Sequence, residues 1–378
     1  MRFSLTQNAF CLGPGRLLRR VTPVIDTAAK LDEWLPSLRA ASWAAIDTEA
    51  DSLHAYPEKL CLLQVSIDSG NVLIDPLAGL DLSLVLEEFK KHELILHGSD
   101  YDLRMLRKSV DFIPVRVFDT MLAARLLGIR EFGLTNLVSR FLDIQLEKGP
   151  QKANWGRRPL TQRMEAYAVN DTAHLRKLSE ILRQQLKEKG RLEWHSQMCD
   201  RLIAENSHVP PPDPDQVWRI KGSRHLPPRA LAVLREVWRW REEEAVAANR
   251  PPYFILSPDA LINIAAVAMD SSKAIEPMIP RHLTNRRRRG LMDAVHRGRG
   301  ATPLPSIIRV RGTPPDEASK ARFVELEARR NRSAKALEID ETLIASRATL
   351  AAISIHGERA VREMMPWQRK LIGFESVT

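Results

Sequence analysis

A run of prolines at residues 209–214, Val-Pro-Pro-Pro-Asp-Pro, divides the 378-residue chain into two parts. Because stacked prolines cannot continue a helix and favour an extended spacer, we expect residues 209–216 to form a linker. Strand-like and helix-like stretches alternate before it, which predicts a mixed α/β domain over residues 1–208, with residues 1–22 as an N-terminal extension. After the linker the apolar spacing is helical, which predicts one helical domain over 217–300 and another helical region over 301–378.

The first part contains short apolar stretches that predict strands and longer amphipathic stretches that predict helices. The expected strands are Trp43–Asp47, Leu60–Ile67, Asn71–Asp75, Leu94–His97 and Val115–Phe118. The expected helices are Asp81–Lys91, Tyr101–Ser109, Met121–Gly128, Leu134–Phe141 and a long one, free of Pro and Gly, over Leu160–Lys189. A Ser-Gly turn signal between the second and third strands predicts an antiparallel opening of the sheet, with crossover connections after it.

Acidic residues stand at the end of the first predicted strand. Asp47 and Glu49 are two apart, so their side chains should point to the same face of that strand, and like charges held so close need a cation. Tyr167 and Asp171 are four apart, so on a helix they share a face. Either pair alone would most simply be a solvated surface pair. Together they predict a metal site that cuts nucleic acid.

Several motifs around these residues resemble the ribonuclease D family, in the DEDD superfamily of 3′→5′ exonucleases, in the branch whose third motif carries Tyr. They occur in the right order and spacing over about the first half of the chain, which is more specific than any single motif. The resemblance implies a ribonuclease-H-like fold for that half. The matching segments are Ile46–Glu49, Lys59–Ser66, Leu73–Leu77, His97–Leu103, Phe118–Ala124, Trp155–Leu160 and Tyr167–Asp171.

The resemblance also implies a set of catalytic roles. Asp47 would bridge two divalent cations, Mg²⁺ or Mn²⁺, which prefer oxygen ligands. Glu49 and Asp171 would complete the site of the nucleophilic water, and Asp102 would support the second ion, mostly through water. Tyr167 would orient the attacking water, since its ordinary pKa near 10 makes it a poor base at neutral pH.

The second motif offers two aspartates near the start of a predicted helix. Asp102 is assigned to the metal site because the family pattern places its Asp directly before Leu, and Asp100 is expected to be the helix N-cap. Asp75 before a proline and Asp119 before a threonine are expected to be turn and cap residues outside the metal site.

The part after the linker resembles the HRDC domain, a small helical module shared by helicases and ribonuclease D. The resemblance is carried by Trp218–Gly222, by the helical stretch that includes Trp238 and Trp240, and by Ile255–Leu261. Leu343–Leu350 weakly repeats Ile255–Leu261, which suggests a second, divergent HRDC-like region over the last part of the chain. The tryptophans of these helices are expected to be mostly core residues rather than base-stacking residues.

Positive charge is concentrated in the second part. Residues 1–200 contain 27 Lys and Arg against 26 Asp and Glu, whereas residues 201–378 contain 30 against 21. A basic region binds phosphates without reading sequence. The densest run is Arg286–Arg289, which is expected to contact the nucleic-acid backbone, although charge runs are usually solvated helix faces.

These features predict an enzyme that hydrolyses RNA from a free 3′ end and releases nucleoside 5′-monophosphates, with tRNA precursors among its substrates. A 3′→5′ exonuclease on DNA and a catalytically silent RNA-binding scaffold remain alternatives, because the motifs cannot detect the 2′-hydroxyl. No apolar run is long enough to span a membrane. Cys11, Cys61 and Cys199 show no paired spacing, which fits a reducing compartment, so a cytoplasmic location is expected.

Overall fold

A computed structural model describes residues 23–147, 149–208, 211, 213–270, 274–306 and 316–374. The predicted N-terminal extension, residues 1–22, lies outside the described residues, as do three residues of the predicted linker, 209, 210 and 212. All elements and contacts below refer to the described part of the chain.

The first domain is built on a six-stranded mixed sheet in the order β1-β4-β3-β2-β5-β6. Its strands are β1 (Val24–Ile25), β2 (Ala44–Ala50), β3 (Leu60–Ile67), β4 (Gly70–Ile74), β5 (Glu93–Leu96) and β6 (Arg116–Asp119). Strands β2, β3 and β4 are antiparallel, and β5 and β6 then add in parallel beside β2. The five predicted strands and the antiparallel opening are thus confirmed, with strand ends shifted by up to three residues.

Helices cover both faces of this sheet. They are α1 (Ala28–Arg39), α2 (Ser83–Phe89), α3 (Asp100–Val110), α4 (Thr120–Leu126), α5 (Leu134–Leu142), α6 (Gln162–Ala173), α7 (Leu175–Glu188) and α8 (Leu192–Ser207). Every residue of the central strand β3 is buried, because apolar side chains of α1, α2 and α3 pack on one face and those of α6 on the other. This layered α/β arrangement confirms the expected ribonuclease-H-like fold.

The single long helix predicted over Leu160–Lys189 is wrong. The chain forms α6 and α7 with a break at His174, whose backbone leaves the regular helix. The reason lies in packing: α6 lies against β3 and β4, whereas α7 lies against α4 and α5. Tyr167 and Asp171 remain together within α6.

The part after residue 213 is helical, as predicted. Its helices are α9 (Pro228–Ala248), α10 (Pro252–Ile255), α11 (Pro258–Val267), α12 (Asn285–Gly300), α13 (Glu317–Leu337), α14 (Glu341–Ile344), α15 (Arg347–His356), α16 (Glu358–Val361) and α17 (Pro366–Leu371). Trp218, Trp240 and Trp367 are buried, which confirms the expectation that most tryptophans here are core residues.

The C-terminal helices α13–α17 share a hydrophobic core with α4, α5 and α7 of the first domain. Trp194 of α8 stacks on Trp367 of α17, with ring centroids 4.7 Å apart. Arg191 donates to the carbonyl oxygens of Leu126 (2.6 Å) and Leu337 (2.8 Å), one on each side of this interface. The last helical region is therefore docked firmly on the α/β domain.

The helices α9–α12 form a separate core that touches the loop following β2. The backbone N–H of Tyr56 donates to Oδ1 of Asn249 (3.3 Å), and the Tyr56 hydroxyl donates to Glu242. The hydroxyl of Tyr253 donates to the carbonyl of Leu53 (3.3 Å). This module thus contacts the α/β domain close to the strand that carries Asp47 and Glu49.

Within the described residues, no helix is both long and apolar enough to cross a bilayer. Cys61 and Cys199 are buried, and both are free.

Candidate metal centre

Strand β2 and helix α6 bring three carboxylates together. Asp47 and Glu49 project from the same face of β2, as the two-residue spacing predicted, and Asp171 approaches from α6. One oxygen from each of the three lies within 4.8 Å of the others. Helix α6 is fixed against the sheet by a hydrogen bond between Ser66 and Thr172 (2.7 Å), both buried. The carboxylates predicted from the sequence therefore do converge.

Asp102 lies immediately behind this group. Its Oδ1 accepts hydrogen bonds from the backbone N–H (3.0 Å) and the hydroxyl (2.5 Å) of Thr48, the residue between the two strand carboxylates. Asp102 is 5% exposed and Thr48 6% exposed, so both polar groups depend on each other. Asp102 thus fixes the strand segment that carries Asp47 and Glu49.

Without a cation, the centre disfavours the simultaneous ionisation of its four carboxyl groups, because all four pKa values are raised. Burial, with repulsion from Asp171 and Asp102, raises the pKa of Glu49 to about 9. Burial raises the pKa of Asp171 to about 7, against the hydrogen bond from Tyr167, and repulsion from Asp102 adds to the increase. Burial also raises the pKa of Asp102 to about 6, although the hydrogen bonds from Thr48 lower it. The pKa of Asp47 lies well above its ordinary value, through burial and then through repulsion from its carboxylate neighbours.

Such a cluster fits a divalent cation. The Oδ2 atom of Asp171 is buried without a hydrogen-bond partner among the described residues. Carboxylate oxygens are the ligands that Mg²⁺ and Mn²⁺ prefer, and a bound cation would offset the repulsion that raises these pKa values. Asp47, Glu49 and Asp171 are the residues placed to hold it.

Tyr167 stands beside this centre in a cleft of about 710 Å³, which is also lined by Asp47, His97, Asn170 and Asp171. Burial, with repulsion from Asp171, raises the pKa of Tyr167 well above its ordinary value. The phenol therefore remains protonated at neutral pH and can donate a hydrogen bond.

Similarity to known proteins decides the family. Residues 23–187 match the family model described as a 3′-5′ exonuclease, and residues 230–280 match the HRDC domain. Ribonuclease D from Pseudomonas paraeruginosa is 33% identical over 264 residues, covering 67% of this chain and 68% of that protein. The chain belongs to the ribonuclease D family, a family of 3′→5′ exoribonucleases.

Further similarities agree with this. Ribonuclease D from Zymomonas mobilis is 35% identical over 251 residues, which cover 65% of this chain but only 64% of that protein. The crystal structure of Escherichia coli RNase D, described as an exoribonuclease involved in structured RNA processing, has a TM-score of 0.71 and 22% identity. It covers 88% of this chain and 90% of the E. coli chain, and it confirms the fold.

Gln64 is a site residue for which the sequence predicted no role, although it stands inside a matching segment. It lies opposite Asp47 in the β2–β3 ladder and is completely buried. Its side-chain Nε2 donates to Oδ2 of Asp47 (3.3 Å). The signal was present in the sequence, because a polar residue in the middle of an apolar strand needs a buried partner.

The aspartates predicted to lie outside the metal centre do so, with one correction. Asp119 caps α4 by accepting from two backbone N–H groups, and Asp75 caps the short turn after β4. The assignment of Asp100 as the N-cap of α3 is wrong. Ser99 occupies the N-cap position, and Asp100 is the first helical residue, where it pairs with Arg104 at 2.6 Å.

The basic run Arg286–Arg289 begins helix α12, and three of its four side chains have hydrogen-bond partners. Arg286 and Arg287 both pair with Glu244 of α9. Arg288 donates to the carbonyl oxygens of Leu283 (3.0 Å) and Pro280 (3.2 Å). Arg289 is exposed. Contact of this run with nucleic acid remains a prediction.

Proposed function

We propose that this chain hydrolyses RNA from the 3′ end by metal-assisted attack of water, releasing nucleoside 5′-monophosphates. One observation carries the proposal: three carboxylate oxygens from a strand and a helix lie within 4.8 Å of one another, in a cleft that also contains the Tyr167 phenol. Single ligands of this kind are common on protein surfaces. A convergent group in a cleft, with strongly raised pKa values, is typical of a functional site.

The chain's residues divide the work. When bound, two divalent ions would activate a water and stabilise the leaving oxygen of an in-line displacement. Asp47, Glu49 and Asp171 would hold this charge, and Asp102 would support the second position while keeping Thr48 and the strand in place. Tyr167 would orient the attacking water by donating its hydrogen bond. Because its raised pKa keeps the phenol protonated at neutral pH, Tyr167 cannot accept the water's proton.

RNA with a free 3′ end is the proposed substrate, with tRNA precursors among the natural ones. The similarity of this chain to the ribonucleases D of P. paraeruginosa and Z. mobilis supports RNA as the substrate, and so does the basic second part of the chain. Unpaired, buried cysteines support a cytoplasmic location for this activity.

We also propose four units of domain organisation: the exonuclease domain 1–208, the linker 209–216, an HRDC domain 217–300 and a divergent HRDC-like region 301–378. Helix lengths support the last assignment. Helices α9, α10 and α11 contain 21, 4 and 10 residues, and so do α13, α14 and α15. In each set the first helix ends at a residue with positive φ, and a serine caps the third.

A competition assay tests the substrate class. RNA and DNA strands of one sequence, labelled at the 5′ end with different dyes, are mixed with the protein and Mg²⁺ or Mn²⁺, and products are resolved on a gel. We expect the RNA to shorten one nucleotide at a time while the DNA persists, with 5′-monophosphates released. Faster loss of the DNA would favour the DNA exonuclease, and no loss of either would favour the silent scaffold.

A further inference from the structure

A short segment of backbone lies directly on the ring of Tyr167. We call residues 149–154 the strap; it follows α5 and precedes Trp155. At Gly149 the strap approaches the ring so closely that an added Cβ would lie 1.5 Å from Cδ2 and 2.2 Å from Cγ of Tyr167. Real Cβ contacts are never this short, so a side chain at residue 149 would have to displace either the ring or the strap.

The strap is anchored independently of Tyr167. The Nε2–H of His54, in the loop after β2, donates to the carbonyl of Lys152 (3.0 Å). The N–H of Ala153 donates to the carbonyl of Pro150 (2.8 Å), which closes a turn. The next residue, Trp155, is completely buried. These contacts resist movement of the strap.

A second aromatic ring lies next to that of Tyr167. Tyr167 and Trp155 lie with ring centroids 6.1 Å apart, and Trp155 belongs to the core between the sheet and α6. The neighbouring Ala168 is fully buried in that core, so the helix that carries Tyr167 cannot move inward. Added volume at residue 149 should therefore turn the Tyr167 side chain away and move its hydroxyl.

We propose that Gly149 is a positioning residue for the reaction: the absence of a side chain there lets the strap hold the Tyr167 hydroxyl against the carboxylate centre. This inference rests on the proposed function, in which that hydroxyl orients the attacking water. Because Gly149 has no positive φ, its identity is required by the space that the ring occupies.

A second strap residue acts on the same hydroxyl. Gln151 lines the cleft with Tyr167 and Asp171. Burial raises the pKa of Tyr167, and a hydrogen bond from the Gln151 side chain opposes that rise, as expected when the amide donates to the phenol oxygen. Gln151 is therefore placed to influence the Tyr167 hydroxyl from the strap.

The test compares two glycines whose φ lies outside the left-handed region. At Gly300, the last residue of α12 and not part of the cleft, an added Cβ meets nothing within 4 Å, so Gly300→Ala is the matched control for Gly149→Ala. We expect Gly149→Ala to lower kcat on the order of 10- to 100-fold, as is usual for a small misplacement of a catalytic group, with KM and the Mn²⁺ activation constant nearly unchanged. Gly300→Ala should be close to wild type.

Combination with Tyr167→Phe separates this role from a merely structural one. If Gly149 acts through the hydroxyl, Gly149→Ala should slow wild type strongly but slow Tyr167→Phe little, because that hydroxyl is already absent. Equal fold losses in both backgrounds, or normal kcat for Gly149→Ala, would overturn the inference. If Tyr167→Phe alone is fully active, the proposed role of Tyr167 fails instead.

Should Gly149→Ala fold poorly by its melting temperature, Gln151→Ala carries the test, because it adds no atoms near the ring. It should also reduce kcat without changing KM, and the reduction should disappear in the Tyr167→Phe background. Full kcat for Gln151→Ala in that case would overturn the inference.

Discussion

The two aspartates of helix α3 allow a sharp test, because they are two residues apart and have opposite surroundings. Asp102 is buried behind the carboxylate centre, whereas Asp100 is exposed and pairs with Arg104. We predict that Asp102→Asn abolishes most activity and leaves the fold intact, while Asp100→Asn is nearly silent.

The magnitudes follow from the hydrogen bonds. Both hydrogen bonds from Thr48 go to Oδ1 of Asp102, and Asn retains that acceptor, so the unfolding free energy should change by less than about 1 kcal/mol. Asp102→Ala, in contrast, would leave two buried donors without a partner, at about 1–3 kcal/mol each. Loss of the exposed Asp100–Arg104 pair should cost about 0.5 kcal/mol or less.

Asp102→Asn should reduce activity strongly although it changes stability little. Asp102→Asn removes a charge that supports the second cation position, so cleavage should fall about 10- to 100-fold or more. Removing that charge also relieves the repulsion that raises the pKa of Asp171, so the metal-free variant should be at least as stable as wild type. Thermal unfolding and single-turnover cleavage of a 5′-labelled RNA measure both quantities. Greater activity loss in Asp100→Asn than in Asp102→Asn would refute the assignment.

Three other predictions address pH, docking and charge. Burial raises the pKa of Asp171 to about 7, so between about pH 4 and 7 the metal-free folded protein binds a proton that the unfolded chain has released. The stability of the metal-free protein should therefore fall as pH rises from about 4 to 7. Saturating Mg²⁺ should reduce this pH dependence in thermal melts. Gly128 has φ +83° and an added Cβ would lie 2.1 Å from the Glu338 carbonyl, so Gly128→Ala should lower the melting temperature far more than Gly79→Ala, where φ is +73° but nothing lies within 4 Å. Replacement of all four arginines of Arg286–Arg289 by Gln should reduce the slope of log RNA affinity against log salt by roughly 0.7 for each phosphate that the protein no longer neutralises. Binding is measured in the Asp171→Asn background, so that the RNA is not cleaved.

The local signals in the sequence were sufficient for most of the sheet and for the centre. Strand β3 runs over Leu60–Ile67 as predicted, because an unbroken apolar run bounded by polar residues has few other ways to be buried. Asp47 and Glu49 share a face because the strand period is two, and Asp119 caps a helix because its position before Thr120 favours that role.

Other features depend on packing between distant segments. No Pro or Gly marks the break at His174. The helix breaks there because α6 packs against β3 and β4, whereas α7 packs against α4 and α5. Helix α1, which was not among the predicted helices, contains Pro36 in its interior. The close approach of Gly149 to the Tyr167 ring likewise joins two segments whose contact no periodicity reveals.

The packing of the C-terminal helices also could not be predicted from local sequence patterns. The amphipathic pattern of α13–α17 predicts helices with an apolar face, but it does not say what covers that face. In the structure the cover is the exonuclease domain, through the stacked Trp194 and Trp367. Removal of residues 301–378 should therefore destabilise the catalytic domain itself, which a chain of independent modules would not predict.

Asp47, Glu49 and Asp171 are proposed to form a metal centre that cuts RNA from its 3′ end. The most direct test is a time course on a 5′-labelled RNA with Mg²⁺, run beside the same reaction with excess EDTA and beside folded Asp171→Asn and Asp47→Ala proteins. We expect wild type with Mg²⁺ to produce a ladder that shortens by single nucleotides, and the other three reactions to leave the RNA intact. Near-normal cleavage by a folded Asp47→Ala protein, or an undiminished ladder in EDTA, would show that these carboxylates do not form the catalytic metal centre.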